Sequence, residues 1–127
     1  MRNPVVAPRA SKGSGPYSQG ILAGGFVFVS GQGPLHPETG EIIGESIEEQ
    51  ADLTLQNIEH IVEAAGSSLD DVVKVTVYLA DMSDFDQFNE VYKRYFSAPM
   101  PARTCVQAGL DNILVEIDAI ALVSNNG

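Results

Sequence analysis

Apolar residues recur along this chain at two spacings, one typical of strands and one typical of helices. The run 26–29 (FVFV) predicts a strand, and segment 17–22 is its expected partner across a hairpin turn at 23–25. A further turn is indicated at 36–43 (HPETGEII), where proline and glycine supply the backbone angles. The first third of the chain is therefore expected to be rich in strands.

Three later segments, 72–79, 102–107 and 113–123, carry the β-branched and small residues of strands. In the first segment, alternation predicts one face formed by Val73, Val75, Val77 and Leu79 and another formed by Val72, Lys74, Thr76 and Tyr78. In the last segment, one face is expected to carry Val115, Ile117, Ala119, Ala121 and Val123, and the other Glu116, Asp118, Ile120 and Leu122. Both faces of this last strand are largely apolar.

Two segments show the period of an amphipathic helix. Ser46 and Glu49 have the spacing of a capping box, and the helix that they begin is expected to end at Gly66. Its apolar stripe comprises Ala51, Leu55, Ile58, Ile61, Val62 and Ala65. Ser83 is the expected cap of the second helix, and the prolines of the later APMP stretch forbid its continuation. The stripe of the second helix comprises Phe85, Phe88, Tyr92 and Tyr95.

The resulting order, β-β-β-α-β-α-β-β, favours an α+β fold in which residues 1–127 form one domain with a single mixed sheet. Two helices in one layer cover only one face of such a sheet. The other face is also apolar and needs a cover of its own, and another copy of the chain is the simplest one.

Charge is distributed unevenly along the chain. The net charge is −10, whereas Arg2, Arg9 and Lys12 fall within the first twelve residues, which contain no acid. The remainder holds four basic residues against 17 acidic ones. This balance disfavours nucleic-acid binding, because that binding normally rests on a Lys/Arg surface that neutralises phosphates.

The remaining composition favours a reduced setting and gives no sign of a metal. Cys105 is the only cysteine, which excludes an internal disulfide, and His36 and His60 lack the paired spacing of a metal site. Neither a signal peptide nor an apolar run of about 20 residues is visible. We therefore expect a soluble, cytoplasmic protein with no membrane segment and no metal.

Arg103 raises a chemical question, because a guanidinium is costly to bury alone on a strand that packs against a core. Alternation puts Arg103 on one side of its strand with Cys105 and Gln107, and it puts Glu116 and Asp118 together on the next strand. If these strands share a sheet, Arg103 and a carboxylate are predicted to lie within ion-pair reach on one face. Such a pair could be structural, fixing register or assembly. Alternatively, Arg103 could bind a substrate carboxylate through its planar fork.

Other candidate residues have equally open interpretations. Cys105 could be a nucleophile, but no histidine is placed to help it, and a half-buried strand residue explains it as well. Tyr17 follows a Gly-Pro turn, where it could close over a cleft or simply pack. The stretch SGQGP (30–34) is glycine-rich, but it precedes no helix directly and lacks a Walker lysine.

Five stretches in order give the chain a specific resemblance over nearly its whole length. They are GPYSQG (15–20), FVSGQGP (28–34), the long segment 50–92, PARTCV (101–106) and VEIDAIA (115–121). Together they resemble the RidA (YjgF/L-PSP) family. The resemblance implies a chorismate-mutase-like fold, a homotrimer with one active site at each subunit interface, and no cofactor. It also implies hydrolysis of reactive enamines and imines, such as 2-aminoacrylate/2-iminopropanoate and 2-iminobutanoate, to 2-keto acids and ammonia.

The resemblance also implies roles for particular residues. Arg103 matches the family arginine that holds the substrate carboxylate, and Glu116 matches the carboxylate that positions the attacking water. The residues that match the rest of the substrate-binding cleft are Tyr17, Ser30, Gly31, Asn89 and Cys105.

The sequence leaves three functions open. The first is a 2-iminobutanoate/2-iminopropanoate deaminase, whose ligands would be a small imine or enamine and a keto acid. The second is a non-catalytic binder of small carboxylates, or a regulatory protein, that uses the same cleft. The third is an endoribonuclease or translation inhibitor, which the acidic composition disfavours.

Overall fold

A computed structural model describes residues 1–123 of the chain. Within them, strands and helices follow the predicted order and form one mixed sheet with both helices on one face. The elements are β1 (Asn3–Val5), β2 (Gly20–Ala23), β3 (Phe26–Gln32), α1 (Ile47–Ala64), β4 (Val72–Leu79), α2 (Phe85–Tyr92), β5 (Ala102–Gln107) and β6 (Val115–Leu122). Single 3₁₀ turns at Leu69–Asp71 and Met82–Asp84 lead into β4 and α2.

The strands are ordered β1-β2-β3-β6-β4-β5 across the sheet. Only β4 and β5 pair in parallel, and the other neighbours pair antiparallel. The parallel pair requires a crossover, and α2 provides it. The last two strands, β5 and β6, are therefore not neighbours, because β4 lies between them.

Helix α1 confirms its sequence prediction closely. Ser46 Oγ accepts a hydrogen bond from the backbone N–H of Glu49, and the Glu49 carboxylate accepts one from the N–H of Ser46, which completes the capping box. All six residues of the predicted stripe are buried. Gly66, at φ +85°, ends the helix, and the N–H groups of Gly66 and Ser67 bond to the carbonyls of Glu63 and Val62.

Several predicted boundaries were wrong. Asp81, rather than Ser83, caps the turn that enters α2, since its carboxylate accepts the N–H of Ser83. The final strand begins at Val115 instead of residue 113. In β4, Val73 is exposed although Val75 is buried, because a bulge between Val72 and Lys74 interrupts the alternation.

The predicted strand 17–22 is shorter than expected and begins at Gly20. A buried amide holds the preceding segment in place of strand pairing: Gln19 accepts the N–H of Ala7 at 2.7 Å. Its Nε2 donates to the carbonyls of Ala7, Ala10 and Ser11 at 3.0, 3.3 and 2.9 Å. Strand β1 lies at residues that the sequence patterns did not single out.

The face of the sheet opposite the helices, here called the open face, is uncovered. Ile21 and Phe28 pair across β2 and β3, and Phe28 pairs with Ile120 of β6, so the three share this face. Phe28 is 44% exposed and Leu122 is 48% exposed. The predicted second apolar face is therefore present, and isolated chains leave it in contact with water.

Candidate functional site

Arg103 lies on the helix face of β5, the edge strand next to β4. Its partner in register is Val75, which is fully buried beneath the helices. The guanidinium carbon lies 4.8 Å from the ring centroid of Tyr92 and 5.5 Å from that of Phe85. Its Nη1 donates to Oδ1 of Asn89 at 2.7 Å. Two aromatic faces and an amide oxygen thus fix the cation.

Phe85, Asn89 and Tyr92 occupy positions i, i+4 and i+7 of α2, which places them on one side of the helix. The sequence pattern predicted Phe85 and Tyr92 only as packing residues. The helical spacing could have shown that Asn89 lies on the same side of α2 as Phe85 and Tyr92. It could not have shown which strand faces that side. Tyr92 is buried, and desolvation raises its pKa to about 12, against the smaller opposing effect of Arg103.

Cys105 follows Arg103 on the same face of β5 and is half-buried against the core. Burial raises the pKa of its thiol, and the nearby Arg103 charge offsets only part of that effect. A thiol with a raised pKa is largely protonated near neutrality, which makes it a poor nucleophile. The geometry therefore favours the interpretation of Cys105 as a wall residue.

Glu116 lies on the open face of β6, beside a bulge in β3. Val29 pairs with Ala119 and Gln32 with Ile117, so Ser30 and Gly31 together stand opposite Asp118. A methyl group on Gly31 would come within 2.7 Å of Glu116 Oε2, which shows that glycine makes room for this carboxylate. Desolvation and, secondarily, the charge of Asp118 raise the pKa of Glu116.

Tyr17 approaches the same open-face region from the segment before β2. Its hydroxyl oxygen accepts a hydrogen bond from Nε2 of Gln32 at 2.6 Å. Burial raises the pKa of Tyr17, the Gln32 hydrogen bond lowers it, and the charge of Glu116 raises it further. Ser30 ties β3 to this segment, because its Oγ donates to the carbonyl of Ser18 at 2.6 Å. Gln32 was not among the predicted site residues.

The candidate residues therefore form two clusters on opposite faces of one sheet. Arg103, Asn89 and Cys105 lie on the helix face, whereas Tyr17, Ser30, Gly31 and Glu116 lie at the open face. The prediction that Arg103 pairs with a carboxylate on its own face was wrong. Arg103 aligns with Val75 and, through it, with Ala119, so alternation turns the neighbouring acids of β6 to the other side.

Other potential sites are sparse. No group of three or more His, Cys, Asp or Glu side chains within residues 1–123 is arranged to hold a metal ion. None of the helices in that range is long and apolar enough to cross a membrane. Among the surface clefts of residues 1–123 are five of about 240–330 Å³; Tyr17 lines one of them, and neither Arg103 nor Glu116 lines any of the five.

Comparison with known proteins places this fold and these motifs in one family. The sequence profile described as Endoribonuclease L-PSP matches residues 7–123. The chain belongs to the L-PSP family, which confirms the resemblance to RidA and YjgF proteins. Among relatives of this L-PSP chain, a RutC family protein of Pyrococcus horikoshii is 50% identical over 123 residues, which are 95% of this chain and 98% of the relative.

Two further L-PSP relatives carry functional descriptions. Reactive Intermediate Deaminase A of Arabidopsis thaliana is 45% identical over 119 residues, covering 92% of this chain and 64% of the relative. The crystal structure of E. coli TdcF with bound serine has a TM-score of 0.89 and 43% identity, and it covers 96% of this chain and 99% of that one. These similarities agree with the observed α+β sheet and its two helices.

Replacing Gly31 of this L-PSP chain with alanine is expected to displace the Glu116 carboxylate without unfolding the protein. The new methyl group and Oε2 must move from 2.7 Å to an ordinary contact of 3.4 Å or more, and the end of a glutamate side chain can move that far. Gly109→Ala is the control, since a methyl group there meets no atom within 4 Å. Crystal structures of both variants test the expectation, and an unmoved Glu116 in Gly31→Ala would contradict it.

The raised pKa of Glu116 predicts a particular pH dependence of stability. The folded state binds the Glu116 proton more tightly than the unfolded state does, so stability falls as pH rises from about 4.5 through the raised pKa. Glu116→Gln lacks this loss and should become more stable than wild type over that interval. Urea denaturation at successive pH values measures the difference, which must grow with pH; a constant difference from pH 4 to 7 would refute the assignment.

Proposed function

We propose that this chain hydrolyses reactive imines and enamines of small amino acids to 2-keto acids and ammonia. The main support is Arg103, a cation fixed by aromatic rings and an amide, with no carboxylate of residues 1–123 within ion-pair distance. A substrate carboxylate would supply the missing anion. The crystal structure of E. coli TdcF with bound serine supports a ligand of this chemical class.

Arg103 is the proposed anchor of the substrate carboxylate. One N–H of its guanidinium is committed to Asn89, and the fork leaves other N–H groups for two parallel hydrogen bonds to the ligand. Asn89 acts through Arg103 in this arrangement. Its predicted role in substrate binding is therefore that of a positioning residue.

Glu116 is the proposed residue that positions the attacking water. The water oxygen adds to the electrophilic imine carbon, and the proton that it loses passes through Glu116 to the substrate nitrogen. The carbon–nitrogen bond then breaks as the second water proton passes from the new hydroxyl group to the nitrogen, which releases ammonia and leaves the carbonyl oxygen in the 2-keto acid. A raised pKa makes the Glu116 carboxylate a stronger base, which suits it to accept this proton.

The remaining predicted residues would line the cleft. Tyr17 and Gly31 lie beside Glu116, while Cys105 lies beside Arg103 as a neutral thiol. Ser30 retains acceptor capacity, although its own proton is donated to Ser18. None of these roles requires a cofactor, and a cytoplasmic setting suits the free thiol.

Two copies of the chain are required if Arg103 and Glu116 are to meet at one substrate. Within a copy they point from opposite faces of the sheet, so the helix-face edge of one copy must meet the open face of another. Such a head-to-tail contact forms a ring if its rotation closes, and a homotrimer is the ring that the family resemblance implies. The contact would also cover part of the apolar open face.

A non-catalytic carboxylate binder would use the same Arg103 anchor. It would differ from the deaminase only in that it does not convert the bound ligand. The endoribonuclease description of the family has less support here, because beyond Lys12 the chain has only four basic residues. RNA cleavage by highly purified protein that vanished in Arg103→Ala would reverse this preference.

Wild-type protein is expected to accelerate release of ammonia and keto acid from 2-iminopropanoate and 2-iminobutanoate generated enzymatically from serine and threonine. Arg103→Ala should lower kcat/KM about tenfold or more, because a charge-assisted hydrogen-bond pair is lost. The kcat/KM of Arg103→Lys should lie between those of wild type and Arg103→Ala. Glu116→Gln should abolish acceleration and still bind pyruvate. Pyruvate binding by wild type without any acceleration would favour the binder instead.

Mixed assemblies test whether one site draws on two copies. Separately, Arg103→Ala is expected to retain at most about a tenth of the wild-type rate, and Glu116→Gln is expected to be inactive. Equal mixing should restore about a quarter of the wild-type rate, because that fraction of interfaces in a closed ring combines an intact Arg103 with an intact Glu116. Arg103→Ala mixed with the Arg103→Ala/Glu116→Gln double variant contains no intact site and is the control. No recovery in assemblies that native mass spectrometry shows to be mixed would place both residues in one copy's site.

A further inference from the structure

Gln32 is a buried amide at the end of the β3 bulge. It is 2% exposed. Its Nε2 lies 3.1 Å from the carbonyl oxygen of Ser30, 3.4 Å from that of Gly31 and 2.6 Å from the hydroxyl oxygen of Tyr17. One side chain therefore connects the backbone of the bulge to the tyrosine that borders Glu116.

The surroundings of Gln32 determine which way its amide points. Two backbone carbonyls, of Ser30 and Gly31, face the same terminal atom. Carbonyl oxygens only accept, so that atom must be the NH₂ group and not the amide oxygen. One hydrogen of the NH₂ serves the bulge, and the other points to Tyr17. The Tyr17 oxygen is consequently an acceptor in this contact.

This assignment leaves the hydroxyl proton of Tyr17 uncommitted. A phenol has one proton to donate, and donation from Gln32 occupies the oxygen without consuming it. The raised pKa of Tyr17 keeps that proton in place at neutral pH. Tyr17 is 37% exposed, so its own chain does not enclose the residue. Gly13, at φ +65°, permits this placement, because a methyl group there would lie 2.6 Å from the tyrosine ring.

We propose that Gln32 is a positioning residue that holds Tyr17 as a hydrogen-bond donor to the substrate bound beside Glu116. The proposal deepens the deaminase function and rests on it. Because Gln32 donates to Tyr17, Tyr17 cannot donate to Gln32. Its hydroxyl proton is therefore available for a hydrogen bond to the substrate. The donated hydrogen bond would stabilise the oxygen or nitrogen of the adduct formed when water adds to the imine carbon.

Gln32→Met tests the proposal, since it keeps the length of the side chain and removes the donor. The matched control is Gln50→Met. Gln50 is also buried and bonded to backbone atoms, the carbonyl of Gly44 and the N–H of Leu114, but the structure shows no hydrogen bond between it and Tyr17. Both variants lose backbone contacts of a buried glutamine. Only Gln32→Met should remove the hydrogen bond to the Tyr17 hydroxyl oxygen.

The first measurement is the titration of Tyr17 by NMR of ¹³Cζ-labelled tyrosine, with the signal assigned through Tyr17→Phe. Gln32→Met should raise the titration midpoint of Tyr17, because the lost hydrogen bond favoured the ionised phenol. Gln50→Met should leave the midpoint unchanged. An unchanged midpoint in Gln32→Met would overturn the proposal.

The second measurement is a double-mutant cycle on kcat/KM. Gln32→Met should lower kcat/KM about fivefold, and it should cause no further loss in a Tyr17→Phe background, because its effect passes through the hydroxyl. Losses that multiply would show that Gln32 acts independently of Tyr17 and would overturn the proposal. If Gln32→Met does not fold, the side-chain amide signal of Gln32 must shift between wild type and Tyr17→Phe; an unshifted signal overturns it.

Failure of the proposed deaminase function can be told apart from failure of the positioning role of Gln32. Wild type without acceleration refutes the proposed function, and pyruvate binding then replaces kcat/KM in the cycle. Binding that weakens about fivefold in Gln32→Met alone supports the positioning role. Equal weakening in Gln50→Met and Gln32→Met overturns it.

Discussion

The pleat of the β-sheet imposes the main constraint on this molecule. Successive side chains of a strand point to opposite faces, and paired residues on neighbouring strands point to the same one. Because β4 lies between β5 and β6, the register that aligns Arg103 with Val75 also aligns it with Ala119. The acids of β6, Glu116 and Asp118, must then point to the open face. The proposed chemistry therefore depends on contact between copies.

Each half of the candidate site is held by a different local device. On the helix face, the i, i+4, i+7 spacing in α2 directs two rings and an amide at one guanidinium. On the open face, an extra residue in β3 breaks the alternation, and the glycine in that bulge admits a carboxylate. Both devices belong to secondary structure that is supported by a buried core, so the fold itself holds the side chains of both clusters in place.

The sequence predicted what depends on local periodicity and missed what depends on distant partners. The six-residue stripe of α1, its capping box and its terminal Gly66 were all confirmed, because each is determined within a few turns of one helix. The exposure of Val73 was not foreseen, since a bulge exists only relative to the strand paired with it. The contact between Arg103 and the rings of α2 likewise required knowledge of the crossover that brings them together.

Gln19 shows how the segment before β2 can keep its shape without regular secondary structure. The four hydrogen bonds of its side chain all join backbone atoms of Ala7, Ala10 and Ser11. An amide that recognises only the peptide backbone places no demand on the side chains of the residues it holds. The side chains of this segment can therefore change by substitution while its backbone path is retained.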